Sequence, residues 1–151
     1  MFCKQIAVLA FLCLGTTLVT ESVLDSDLNR ENLCTDTFRY VNDAAGYVTG
    51  EVTIPVNGLK DIVVTVNATV AGVLDKKTKL LINLKSNPQD LIYNPKGKAV
   101  YDVLFPTQNP LPEVTQISLN GQILCLSDTI PSLKPGESLT YMSSSHRVTI
   151  S

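Results

Sequence analysis

Tryptophan is absent, histidine occurs once and aromatic residues make up only 6% of the 151-residue chain. The only histidine, His146, sits near the C-terminus, and the two cysteines that remain once the N-terminal apolar segment is removed cannot make a tetrahedral zinc site, so no metal is expected. The chain also lacks an excess charge. Twelve basic side chains face 14 acidic ones, for a formal charge of -2 and a pI near 5.3. Without a basic footprint, nucleic acid and acidic membrane surfaces are not expected as partners. Long hydrophobic runs are missing as well: the longest, Ile6 to Leu14, is too short to cross a bilayer, and no membrane span is expected. No helical period of useful length appears after residue 33. The G-x-S-x-G signal of a serine nucleophile on a strand-to-helix turn is absent too.

The N-terminus carries the first positive signal. MFCKQIAVLAFLCLGTTLVTES places one lysine before an apolar run and ends in small and polar residues, the three-part layout of a secretory signal peptide over residues 1–22. Thr17, Thr20 and Ser22 are alternative cleavage positions. A polar leader over residues 23–33 follows, and the mature product is expected to be soluble, secreted and extracellular. Cys3 and Cys13 leave with the signal, so Cys34 and Cys125 remain and most simply form one disulfide in an oxidising compartment.

From Phe38 onward the hydrophobic period is two. In GYVTGEVTIP, Val48, Val52 and Ile54 share one face and Tyr47, Thr49, Glu51 and Thr53 the other, and VNGLK reads as a turn. DIVVTVNATVAG has the cleanest pattern, with Ile62, Val64, Val66, Ala68 and Val70 inward and Asp61, Thr65, Asn67 and Thr69 outward. KLLINLK and AVYDVLF alternate again, separated by SNPQDLIYNPKGK, whose two Asn-Pro steps read as a long loop. Pro106, Pro110 and Pro112 cannot donate to a ladder, so a strand ends at Phe105 and a stiff extended crossover runs to Val114. As a proline-rich ligand for an SH3-type groove the same segment needs a cytosolic setting that the signal denies.

VTQISLNGQILCL then reads as a hairpin with Asn120-Gly121 as a type I′ turn, both positions at φ > 0. Leu119 is expected opposite Gln122 and Ile117 opposite Leu124, so that Ile117, Leu119, Leu124 and Leu126 share a buried face. The remainder suggests a short strand near Leu139 to Tyr141, a serine-rich turn and a last strand at Arg147 to Ile150. The fold class is all-β: a two-sheet antiparallel sandwich of immunoglobulin-like architecture, with about seven to nine strands.

Candidate chemistry is sparse. Ser143 to Ser145 beside His146 lack any motif that orients the imidazole, and Asp61 and Asp102 lie singly rather than as an acid and base pair. No catalytic residue, cofactor site or metal site is assigned, and the chain is not expected to be an enzyme. Lys76, Lys77 and Lys79 form a small basic cluster, read either as a solvated turn or as a contact for an anionic ligand such as a sulfated glycan. Asn67-Ala68-Thr69 is a glycosylation sequon on the outward face of its strand, used or unused.

Two blocks carry a family resemblance. CTDTFRYVNDAAGYVTGEVTIP contributes Cys34, Phe38, Tyr40, Gly50, Val52, Ile54 and Pro55. VLFPTQNPLPEVTQISLNGQILC contributes Phe105, Pro106, Gln108, Asn109, Pro110, Leu111, Pro112, Ile117, Ser118, Asn120, Gly121 and Cys125. Together they resemble the N-terminal domain of the gastrulation-defective family of arthropod serine proteases, over residues 34–126. Residues 127–151 are then a C-terminal extension. Family members usually continue into a trypsin-like domain. The Gly-Asp-Ser-Gly-Gly and Ala-Ala-His-Cys motifs of that domain do not occur here, so protease activity is not carried over.

The resemblance implies an accessory domain standing alone, a single-domain paralogue or a truncated product, in an extracellular protease cascade of the patterning or immune type. Its expected partner is a trypsin-like protease, a zymogen or a cascade cofactor. The alternative class is a secreted module that recognises a glycan or lipid, through Lys76 to Lys79 or between the sheets.

Overall fold

The period-two stretches form eight strands among the described residues: β1 (Phe38–Asn42), β2 (Val48–Pro55), β3 (Asp61–Ala71), β4 (Leu81–Leu84), β5 (Lys98–Leu104), β6 (Glu113–Leu119), β7 (Gln122–Leu126) and β8 (Leu139–Thr149). The computed structural model describes residues 34–150; the expected signal peptide with Cys3 and Cys13, and the leader over 23–33, lie outside them. One sheet has the order β1-β2-β5-β4 and the other β7-β6-β3-β8, every pairing being antiparallel. The chain is therefore an all-β two-sheet sandwich, as the alternation predicts.

The core lies between the sheets. From β3, Ile62, Val64, Val66 and Ala68 point inward and meet Val52 and Ile54 of β2 and Ala99, Tyr101 and Val103 of β5, all essentially inaccessible, and Val70 is buried as well. Each fully buried Val or Ile contributes roughly 1.5–3 kcal/mol relative to exposure. Tyr101 is the largest of these side chains, and its hydroxyl has no hydrogen-bond partner among the described residues. The His146 ring meets Tyr101 edge-on, with centroids 5.6 Å apart. Burial pushes the Tyr101 phenol up to about 12.

The proline-rich crossover carries the chain from β5 in the first sheet to β6 in the second, and it is pinned to β1 and β2. Tyr40 donates its hydroxyl proton to the Pro112 carbonyl at 3.0 Å and accepts from the Val114 N–H at 3.1 Å. Its ring packs on Phe38 at 4.8 Å and on Phe105 at 5.6 Å. Gln108 acts like a short extra strand: its side-chain oxygen accepts from the Val48 N–H and its amide donates to the Val48 carbonyl. Gly50 leaves room for this packing, since a Cβ there would lie 2.6 Å from the Phe38 ring.

The hairpin turn is as expected, with φ of 50° at Asn120 and 81° at Gly121. Asn120 also does something the turn alone does not require. Its amide spans the start of β3, accepting from the Val63 N–H and donating to the Asp61 carbonyl. Only an uncharged carboxamide offers both groups.

The expected hairpin face is corrected by a bulge. Leu119 does pair with Gln122, but Ser118 pairs with Ile123 and Ile117 with Cys125, leaving Leu124 as the extra residue. A bulge inverts the alternation beyond it. Cys125 therefore turns into the core, and Leu126 turns outward to 56% exposure. A second irregularity makes Thr115 the extra residue opposite β3 and brings Val114 inward. With Cys125 inward, the Cys34–Cys125 disulfide closes, its Cα atoms 5.5 Å apart and its ends 91 residues apart in sequence.

Two further expectations change. The loop between β4 and β5 contains a short helix, α1 (Pro88–Tyr93), whose N-cap Asn87 accepts from the Gln89 N–H and which buries Leu91. Asn-Pro here opens a helix, because proline at its first position loses no intrahelical bond. The serine-rich segment is not a turn. Ser143 to Ser145 lie in the middle of β8, which pairs with β3 from Leu139 to Thr149 without a register shift. Cross-strand bonds outweigh weak intrinsic propensity: Ser143 bonds Asn67 and Ser145 bonds Thr65.

Two outcomes are expected from this architecture. Replacing Cys34 and Cys125 by serine should lower unfolding free energy by about 4–5 kcal/mol in the chain-entropy model, measured by urea titration against the oxidised protein. The Tyr101 phenol is raised in the folded state, so its contribution is fully present below pH 10 and is lost as pH rises toward about 12. Over that window, stability should fall by about 1.4 kcal/mol per pH unit. Tyr101→Phe should remove this slope while remaining within about 1 kcal/mol of wild type at pH 7, since the hydroxyl it deletes is unpartnered.

Candidate interaction face

The two outer faces differ. On the β1-β2-β5-β4 sheet, Glu51 receives the Arg39 guanidinium and the Lys85 ammonium, and Lys85 also reaches Asp102 at 3.3 Å. The hydrogen bond from Lys85, then the one from Arg39, hold the Glu51 carboxyl below its ordinary range against the opposing cost of burial. The hydrogen bonds to the Glu51 and Asp102 carboxylates in turn push the Lys85 ammonium up. These charges are spent on one another across neighbouring strands, and Asp102 belongs to this network rather than to a catalytic pair.

The outer face of the second sheet is a polar plateau. One row across the strands is Leu126, Gln116, Asn67 and Ser143, and another is Ile123, Ser118, Thr65 and Ser145. Ser143 donates to the Asn67 side-chain oxygen at 2.7 Å, and the Thr65 and Ser145 hydroxyls are 2.8 Å apart. At one end Arg147 grips Asp61 at 2.6 Å and holds its carboxyl below the usual range. Asn67, Thr115, Tyr141 and Ser143 line a shallow recess of about 290 Å³.

The β7 side of this plateau is apolar. Ile123 is 53% exposed, Leu126 56%, and Ile130 just beyond the strand 69%. Sequence reasoning assigned Leu126 to the interior and did not single out Ile123. The bulge at Leu124 moves Leu126 outward, and period-two counting does not register a bulge.

The other candidates are separated. Lys76, Lys77 and Lys79 lie exposed on the turn between β3 and β4, where the Asp75 carboxylate accepts from the Lys77 N–H and its carbonyl from the Thr78 N–H. Ser143 and Ser145 face outward while His146 faces Tyr101 between the sheets. The strand's own alternation thus puts Ser143 and Ser145 on the face opposite the imidazole and leaves Ser144 on the imidazole's side. Among the described residues, no three His, Cys, Asp or Glu side chains gather as a metal site, and no helix is long and apolar enough to cross a membrane.

The residues that the two sequence blocks share meet around the crossover and the disulfide: Cys34 with Cys125, Tyr40 with Phe105 and Pro112, and Gly50 under Phe38. The family model described as the serine protease gd N-terminus matches residues 32–134. Neither the curated proteins nor the solved structures contain a match to the chain. With more than half of its length matched, and with the matched blocks joined into one sandwich, the chain belongs to the serine protease gd N-terminus family.

Proposed function

We propose that this protein is a secreted, non-catalytic accessory domain that binds a trypsin-like protease, zymogen or cofactor of an extracellular serine-protease cascade. The family is the N-terminal part of a serine protease, and the disulfide fits an oxidising extracellular setting. The observation that carries the reading is the pair of exposed aliphatic side chains, Ile123 and Leu126, on the outer face of edge strand β7, with Ile130 also exposed in the segment that follows. Exposed aliphatic side chains on a strand that is a sheet edge among the described residues favour association with another protein. A lipid held between the sheets finds less support, because Val52, Ile54, Ile62, Val64 and Tyr101 fill that space.

Asn67 belongs to the same proposal as a carbohydrate attachment site. It lies on the outer face of β3, where a glycan extends into solvent, and its hydrogen bond to Ser143 uses the carboxamide oxygen rather than the nitrogen that would be glycosylated. Glycosidase treatment of secreted protein should lower its mass, and Asn67→Gln should abolish that change. An unaltered wild-type mass would leave the sequon unused.

The binding reading is tested with the mature protein as bait against trypsin-like zymogens and cofactors from the same extracellular fluid. Wild type should capture at least one and cleave no peptide substrate. Ile123→Asp combined with Leu126→Asp should weaken capture about tenfold to a hundredfold, the range of an interface anchor, with the fold intact because both side chains are exposed. Capture of glycans or lipids without any cascade protein, or binding indifferent to the double substitution, would count against the assignment.

A further inference from the structure

The four outer edges of the sandwich are unequal. β1 and β7 have five residues each, β7 is interrupted by the bulge at Leu124, and β4 has four. β8 has 11 residues, with no proline, glycine or acidic side chain and with Arg147 as its only fixed charge. Its pairing with β3 is unbroken along that length. Proteins usually blunt an edge by shortening it, bulging it or charging it, and β8 has almost none of these protections. Among the described residues, no strand pairs with the outer side of β8.

Backbone polarity shows which groups β8 offers. The Ile150 N–H bonds the Lys60 carbonyl and the Ser138 carbonyl accepts from the Gly72 N–H, so even-numbered residues face β3. In an antiparallel ladder the alternate residues then turn their N–H and C=O groups the other way. Leu139, Tyr141, Ser143, Ser145, Arg147 and Thr149 therefore present both groups to the open edge, and Tyr141 is 75% exposed.

We infer that the β8 edge pairs with β8 of a second copy of this chain, antiparallel about a two-fold axis at Ser144. The evidence is the strand's self-complementarity. In this register the open-edge residues oppose one another, as backbone bonding requires. Ser143 faces the partner's Ser145, and Tyr141 faces the partner's Arg147. On the inward side Met142 lies opposite the partner's His146 and Thr140 opposite the partner's Val148. Small residues occupy the centre, a cation meets an aromatic face at each end, and no fixed charge opposes its like. Arg147 is already oriented on the outer face by Asp61.

The product is one continuous sheet of eight strands with a β7 edge at each end. Such a dimer presents two copies of the apolar rim and makes contact with a multivalent partner intramolecular after the first encounter. The pairing does not rest on the protease-binding reading, since it involves only this chain.

Sedimentation equilibrium of the mature protein alone distinguishes the two. A reversible monomer–dimer equilibrium is expected, with Tyr141→Arg raising the dissociation constant roughly fivefold through two symmetric like-charge contacts with Arg147. Tyr141→Glu should lower the constant by bringing a carboxylate opposite the same guanidinium. Both changes are at an exposed position, and far-UV circular dichroism checks that each variant folds. A monomer up to millimolar concentration, a dimer indifferent to both substitutions, or one weakened equally by both would overturn the inference.

Discussion

The attachment of the proline-rich crossover to β1 and β2 is the constraint on which the rest of the fold depends. Residues 105–112 leave one sheet and must deliver the chain to the other at a fixed position, yet their prolines supply no amide donors. Tyr40 resolves this with one hydroxyl, which bridges the Pro112 carbonyl and the Val114 N–H where β6 begins. Gln108 fastens the middle of the segment to Val48. Where β6 starts decides which of its residues face β3, where the Asn120-Gly121 turn falls, and whether Cys125 reaches Cys34. The disulfide secures an arrangement that these hydrogen bonds position.

Much of this fold was legible in the sequence. Continuous alternation in Asp61 to Ala71 marked the central strand, paired glycine and asparagine marked the turns, and prolines marked the sheet change. The errors have a common physical origin. Alternation counts residues, whereas a bulge adds one without announcing itself, so the faces of Leu124, Cys125 and Leu126 came out inverted. Serine has weak strand preference, so Ser143 to Ser145 suggest a turn when considered locally. The structure supplies what that local view omits, a partner strand with Asn67 and Thr65 at matching positions. The candidate site fared less well, because exposed aliphatic residues on an edge have the same composition as buried ones.

One local event connects the core to the surface. The extra residue at Leu124 turns Cys125 inward for the disulfide, and the same shift carries Leu126 to solvent beside Ile123. Without the bulge, Leu126 would join the core and Cys125 would face away from Cys34. The apolar rim is thus the outer counterpart of the cross-link, and a register that creates one creates the other. This coupling places a hydrophobic surface on an edge strand held by a covalent tie rather than on a flexible loop.

The residues that carry the family resemblance are largely consumed by these structural tasks. Phe38, Tyr40, Gly50, Gln108, Pro112, Asn120 and Cys125 fill the core, clamp the crossover, cap β3 or form the cross-link. Ile123, Asn67 and Tyr141, which define the outer plateau and its two edges, are not among the residues that carry it. The plateau side chains bond one another across β3 and β8 on the outer surface, whereas the signature residues are committed to specific partners inside the domain. Substitutions on the outer rows of the second sheet can therefore alter that face while the sandwich beneath them remains the same.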